Sequence, residues 1–314
     1  MDIALNVTTQ VVIIFLLMAV GFVLSKMKIV TETGVKQMTD ILLFVVTPCV
    51  LVNSYQDKIA DFSQNLILGL AAAAVFSILI HLIAIIIATL YFKKEPTGNY
   101  KVNIFATIYS NCGFMAIPLL QAVLGKDGVF YGSAYLVVFT ILYWTQGLCV
   151  FSGSRKSLSV KKLLLTPGII GSFVALILFL LRIELPYILK DTIERLSTLN
   201  TPLSMVVLGT YLAKINLKKA FCHKPLYSVL FFRLLLIPII SIFVLWAINR
   251  VYPMSEMISQ SVLIPSACPV AAVAALFAAK YGNDASYASE LVAISTLVSI
   301  ITIPLIMAFS ALFI

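Results

Sequence analysis

The chain has 314 residues, of which 61% are hydrophobic and 11% charged, with a mean hydropathy of +1.06. That charged share is less than half the roughly 25% of soluble domains, which excludes an ordinary soluble protein and leaves a polytopic membrane protein. The formal net charge of +9 does not point to nucleic acid, because the basic residues are spread over short loops and form no polybasic arm.

A spanning helix takes about 20 apolar residues, and ten such runs follow one another. The first, about 8–26, follows "MDIALNVTT", which lacks the basic region of a cleaved leader, so it is expected to stay as a mature helix. The second, about 37–55, has Asp40 near its start and carries Pro48 and Asn53 in "VTPCVLVNSY". His81 lies deep in the third, about 63–92. The fourth, about 103–124, is interrupted by "SNCGFMAIPLLQ". There Pro118 removes an N–H and clashes with the Phe114 carbonyl, while Gly113 relaxes the backbone, so a break is expected at that point. The fifth, about 129–153, holds Gln146; the sixth covers about 164–181; the seventh, about 199–215, opens on "NTPLSMVVLGTY". Between the sixth and seventh a loop is expected. The eighth, about 225–248, contains Arg233. "PSACPVAA" interrupts the ninth, about 258–280, with Pro265 expected to free the Ser261 carbonyl and Pro269 that of Pro265. The tenth, about 288–314, starts beside Glu290.

Charge asymmetry orients these spans. Loops after the odd-numbered spans hold fifteen Lys and Arg: Lys26, Lys28, Lys36, Lys93, Lys94, Lys101, Arg155, Lys156, Lys161, Lys162, Lys214, Lys218, Lys219, Lys224 and Lys280. The even-numbered loops hold six, namely Lys58, Lys126, Arg182, Lys190, Arg195 and Arg250. The positive-inside rule places the odd loops in the cytoplasm and both termini outside.

Ten spans divide into five and five, and an odd number per half makes the second half enter the membrane in the opposite sense. This is the inverted-repeat plan of many secondary transporters, with halves at 1–155 and 156–314. Thr47-Pro48 and Thr201-Pro202 occupy corresponding places, and a shift of 157 residues aligns Leu119, Ala122, Gly125 and Asp127 with Leu276, Ala279, Gly282 and Asp284. Two broken helices at matching places can cross near the midplane. Carbonyls freed in hydrocarbon are tolerated only where protein, water or ligand satisfies them, and the half-helix N-termini would offer N–H groups with partial positive charge. The expected product is an anion site made mostly of backbone, around Asn111, Cys112, Gly113 and Pro118 in one interruption and Cys268, Pro269 and Val270 in the other.

At these residues the chain resembles the auxin efflux carrier family, within the group that shares the bile acid sodium symporter fold. Asn111 lies before "IPLL" at Ile117 to Leu120; Pro269 is followed by "FA" at Phe277 to Ala278 and by Tyr281; Pro48 matches the second-span proline. The resemblance covers essentially the whole chain. It implies an all-α membrane protein of ten helices, with a scaffold domain from spans one, two, six and seven (about 8–55 and 164–215) and a transport domain from spans three to five and eight to ten (about 63–153 and 225–314). It implies that spans four and nine cross at prolines beside an anionic substrate, that a homodimer forms through the scaffold, and that the protein works by alternating access in the bacterial inner membrane. Two departures stand out: Ala274 replaces a second proline common in plant members, and only about ten residues separate spans five and six where the plant exporters have a long loop. Malate and an auxin-like acid both stay open as substrate.

Ionisable groups in a membrane are functional candidates. His81 reads either as a proton carrier or as a neutral histidine bonded between helices, the second being simpler because no acidic residue stands four positions away. Arg233 is expected to snorkel to the cytoplasmic interface, with neutralising a carboxylate as the other reading. Asp40 and Glu290 are candidates for a coupling Na+ or H+, and Asn53, Gln121 and Gln146 for substrate contact or interhelical bonding.

No metal or cofactor is expected. The five cysteines form no CxxC, and there are two histidines. Neither paired intramembrane aspartates nor a GxxxxGK[ST] loop is present. These readings speak against an enzyme or an ATP-driven pump and leave, as alternatives to a carrier, an anion channel or a non-transporting sensor.

Overall fold

A computed structural model of the chain describes residues 2–93, 98–153 and 164–314. Lys94, Arg155, Lys156, Lys161, Lys162 and the junction between the two expected halves lie outside the described residues. Among those described, the chain is helical throughout, with a lone β-bridge between Ser110 and Val270. In chain order the helices are α1 (Asp2–Lys26), α2 (Glu32–Gln56), α3 (Gln64–Phe92), α4 (Tyr100–Ile108), α5 (Cys112–Ser152), α6 (Pro167–Leu180), α7 (Tyr187–Thr198), α8 (Asn200–Ala213), α9 (Leu217–Phe221), α10 (Leu226–Val251), α11 (Glu256–Ala267), α12 (Val273–Lys280) and α13 (Ala285–Ser310). Six of them, α1, α2, α3, α5, α10 and α13, are long and apolar enough to cross a membrane, and α6 is shorter and apolar. Large apolar side chains such as Leu16, Leu90, Phe173 and Leu305 face outward, as they must where the solvent is lipid.

Proline shapes several of these helices in one repeated way. A five-residue π turn covers Leu42–Val46, Cys112–Ala116 and Phe232–Leu236, and in each case a proline, Pro48, Pro118 or Pro238, follows two residues later. A proline lacks an N–H and collides with the carbonyl four residues back. Widening the preceding turn to i→i+5 bonds moves that carbonyl aside without ending the helix. This corrects the break expected at Pro118, which sits inside the resumed helix. The chain instead leaves the helix at Tyr109, which is extended, and turns at Asn111, before the π turn. In the ninth span, too, the helix runs through Pro265, and the extended stretch begins at Cys268. The Pro265 carbonyl is not free, because it accepts from the Cys268 N–H at 3.3 Å.

α5 combines the end of the fourth expected span with all of the fifth, folded back at Gly125, whose φ of 64° only glycine adopts readily. Gly282, its partner under the 157-residue shift, has φ 68° and follows α12 in the same way. The expected loop between spans six and seven contains α7, an amphipathic helix with an Asp191–Arg195 pair at 2.7 Å, which runs almost directly into α8.

Glycine sets two of the closest helix pairs. α1 lies along α8, where a Cβ on Gly21 would run into the Val206 carbonyl and one on Gly209 into that of Met18. α6 lies on α2, with Pro48 Cα only 2.8 Å from where a Gly171 Cβ would be. The rings of Tyr55, Phe130 and Phe179 tie α2 to α5 and α6 at centroid separations of 4.6 to 5.8 Å.

Candidate functional site

The two helix interruptions meet. Ser110 and Val270 face each other antiparallel, the Asn111 N–H donates to the Pro269 carbonyl at 2.7 Å, and the Ala271 N–H donates to the Tyr109 carbonyl at 3.0 Å. Pro269 has no N–H to leave unpaired here, so proline suits a position where only a carbonyl is used. From α13, Ser295 Oγ accepts from the Val270 N–H at 3.1 Å. These bonds dispose of polar backbone that would cost several kcal/mol per group if exposed to hydrocarbon. They also bring four helix ends to one place: α4 and α11 stop there, and α5 and α12 start there. Helix starts leave their first N–H groups without intrahelical partners and carry partial positive charge. No atom from outside its own stretch of chain lies within 4 Å of where a Gly113 Cβ would be, so there is room beside the start of α5.

Arg233 reaches this crossing from α10. It does not snorkel to the interface as expected. Its side chain is 0% exposed, with Nη1 donating to the Thr107 and Ile108 carbonyls at 3.3 and 3.1 Å and Nη2 donating to the Ser266 carbonyl. Those are last-turn carbonyls of α4 and α11, which have no helical N–H ahead of them. Short-range capture by exposed carbonyl dipoles wins over snorkelling because the interface is about eight residues away along the helix.

The expected site residues divide by location. Asn111 is 3% exposed and its Nδ2 has no partner among the described residues. Cys112 and Cys268 are both buried, on the same side of the bridge, and Gly113 is half-buried. Gln146 is drawn in through Tyr109, whose hydroxyl donates to its Oε1 at 2.6 Å. Pro118 lies one turn beyond the crossing, within α5. His81 is buried beside it: Nδ1 donates to the Ser77 carbonyl at 2.6 Å, within α3 and not between helices. Its ring packs on Tyr135 at 4.8 Å, and Ser110 Oγ donates to the Tyr135 hydroxyl at 3.5 Å.

Other expected residues lie elsewhere. Asn53 Nδ2 donates to Ser197 at 3.3 Å, turning it toward α7. Gln121 Oε1 has no partner among the described residues. Asp40 is exposed on α2, and Glu290 pairs with His223 Nδ1 at 2.8 Å, so no contact joins either carboxylate to the crossing.

Sequence reasoning passed over Tyr109, Ser110, Tyr135 and Ser295, none of which carries a local signal. It also missed the role of Arg233, although a lone arginine ahead of a proline in an apolar run was visible. A further cluster is made of ion pairs. Lys126 lies 2.7 Å from Asp57 and 2.9 Å from Glu194, Lys190 lies 3.0 Å from Asp57, and Lys58 lies 2.7 Å from Asp127, joining α7, the end of α2 and the bend of α5.

No curated protein matches the chain. The profile of a family described as membrane transport protein matches it twice, over residues 6–161 and 156–307, which together span nearly all of it. A transporter family, two matches in tandem and several membrane-crossing helices agree: the chain is a multi-pass membrane protein of the auxin efflux carrier family.

Proposed function

We propose that the protein is a secondary transporter that moves a small organic anion, a carboxylate such as malate or an auxin-like acid, by alternating access. The observation that carries this reading is the antiparallel meeting of the two interruptions, with two helix starts, room beside Gly113 and an unpartnered Asn111 amide at one point. In this reading ten spans form two inverted repeats, 1–155 and 156–314. The tandem profile matches and the shared left-handed turn at Gly125 and Gly282 support the repeat.

The close pairs α1 with α8 and α2 with α6 form the scaffold, and the crossing belongs to a transport domain that moves against it. The Asp57, Lys126 and Glu194 cluster joins the two bodies at the face opposite the basic loops, so it serves as the outer closure. Both termini lie outside the cytoplasmic membrane of a bacterium, and a second copy docks on the scaffold. Coupling to H+ or Na+ belongs to the same proposal.

Uptake of radiolabelled malate and indole-3-acetate into proteoliposomes tests the reading, with Na+ and pH gradients imposed in separate arms. Saturable flux of either acid, weakened in Asn111→Ala protein, is the expected result. Unsaturable flux would mean a channel, and no flux of either acid or of any other carboxylate would remove the carrier reading.

A further inference from the structure

Arg233 and His81 are the two ionisable side chains of Lys, Arg, His, Asp or Glu type that are buried among the described residues; no Asp or Glu is. None of the ion pairs among those residues includes Arg233. The ionisable groups that surround it are Tyr135, Cys112 and Cys268, with His81 in electrostatic range, so a phenol, two thiols and an imidazole but no carboxylate. The guanidinium is therefore a cation inside the membrane with no anionic partner among the described residues.

The helix ends do not supply one either. Each helix stop carries about half a negative charge and each start about half a positive one. The stops of α4 and α11 face Arg233, but the starts of α5 and α12 enter the same crossing, and the four cancel to first order. One whole positive charge remains. Holding an ion in low dielectric without a countercharge is strongly unfavourable, so the site is built to be completed by an anion. Two buried donors stay unpartnered for it, Arg233 Nε and Asn111 Nδ2.

We infer that Arg233 is the fixed countercharge of the transport site, and that the cargo is therefore a monoanion, with one ionised carboxylate, which selects the auxin-like acid over malate. This rests on the crossing being the transport site. A second carboxylate would be left unpaired beside the first and would reverse the sign of the problem. Arg233 then determines specificity for charge, while its Nη1 and Nη2 contacts hold the two interruptions together.

The test is thermal stabilisation of the purified full-length protein by acetate, benzoate and indole-3-acetate, each beside its primary amide, and by the dianions malonate, succinate and isophthalate at neutral pH. A monocarboxylate is expected to stabilise the wild type where its amide does not, and the dianions to stabilise it at least tenfold less well in apparent affinity. Arg233→Gln should erase the preference for carboxylate over amide, and Arg233→Lys should retain part of it. A carbonyl clamp with no role in charge recognition would lower the melting temperature in both variants and leave that preference intact.

Dianions binding as well as monoanions to wild type would overturn the inference without any variant, as would stabilisation by no monocarboxylate. If dicarboxylates bind and are transported, the carrier reading stands and this inference alone falls. If no carboxylate binds and vesicles show no flux, both fall.

Discussion

Asn111 and Pro269, 158 positions apart in the chain, are joined by a backbone hydrogen bond of 2.7 Å from the Asn111 N–H to the Pro269 carbonyl. That bond uses the one polar backbone group proline has, and it leaves the Asn111 side chain free of any structural duty on its Nδ2.

Asn111→Ala should therefore keep the crossing and lose ligand. Its backbone bond survives, and removing an unpartnered donor takes little from stability. Carboxylate binding should weaken on the order of tenfold, about 1.4 kcal/mol, with a melting temperature close to wild type in the absence of ligand. Binding isotherms and an unliganded melt, taken on the same preparation, check both halves.

Pro238→Ala should act on Arg233 from a distance. With an N–H restored and the ring gone, the π turn Phe232–Leu236 can tighten to α, which rotates the preceding residues by about 100°. Arg233 would then leave the Thr107, Ile108 and Ser266 carbonyls. Reduced anion binding with normal membrane insertion is the expected outcome, and unchanged binding would show that the π turn persists without the proline.

The α1 and α8 contact leaves no space for a methyl group. Gly21→Ala and Gly209→Ala each place a Cβ against backbone of the partner helix, which cannot rotate away. Each should destabilise by about 1–3 kcal/mol, as overpacking does. Gly168→Ala, at a position with nothing within 4 Å, is the matched control and should be nearly neutral.

At the outer cluster, burial by itself would raise the Asp57 carboxyl, but Lys126 and Lys190 outweigh it and hold it below the ordinary 3.8. A depressed carboxylate contributes stability that is complete above its unfolded value and disappears as pH falls through the folded one. Thermal stability should thus be flat around neutrality and drop below pH 3.8, with a smaller drop in Asp57→Asn. A double-mutant cycle on Asp57 and Lys126 should give about 0.2–1 kcal/mol, since both are partly exposed. If the cluster closes the outer face, breaking it should also raise outward accessibility, which labelling of a cysteine placed at Ser54, buried one turn before Asp57, would report.

The amino-acid sequence by itself determined the apolar spans, their charge asymmetry and the presence of two interruptions, because hydropathy, loop charge and the stereochemistry of proline and glycine act locally. It located the interruptions to within a few residues and misplaced the breaks: a proline can be absorbed by widening the turn before it, and whether the helix breaks or widens depends on what lies beside it. Only the tertiary structure decided that Tyr109 to Asn111 pair with Pro269 to Ala271, that Asn53 turns to Ser197 and Glu290 to His223, and that Arg233 stays inside. Hydropathy treats an arginine in a span as a charge seeking water. The fold instead offers it the carbonyls of two helix ends from distant parts of the chain, and a contact between such distant residues has no signature in either stretch alone.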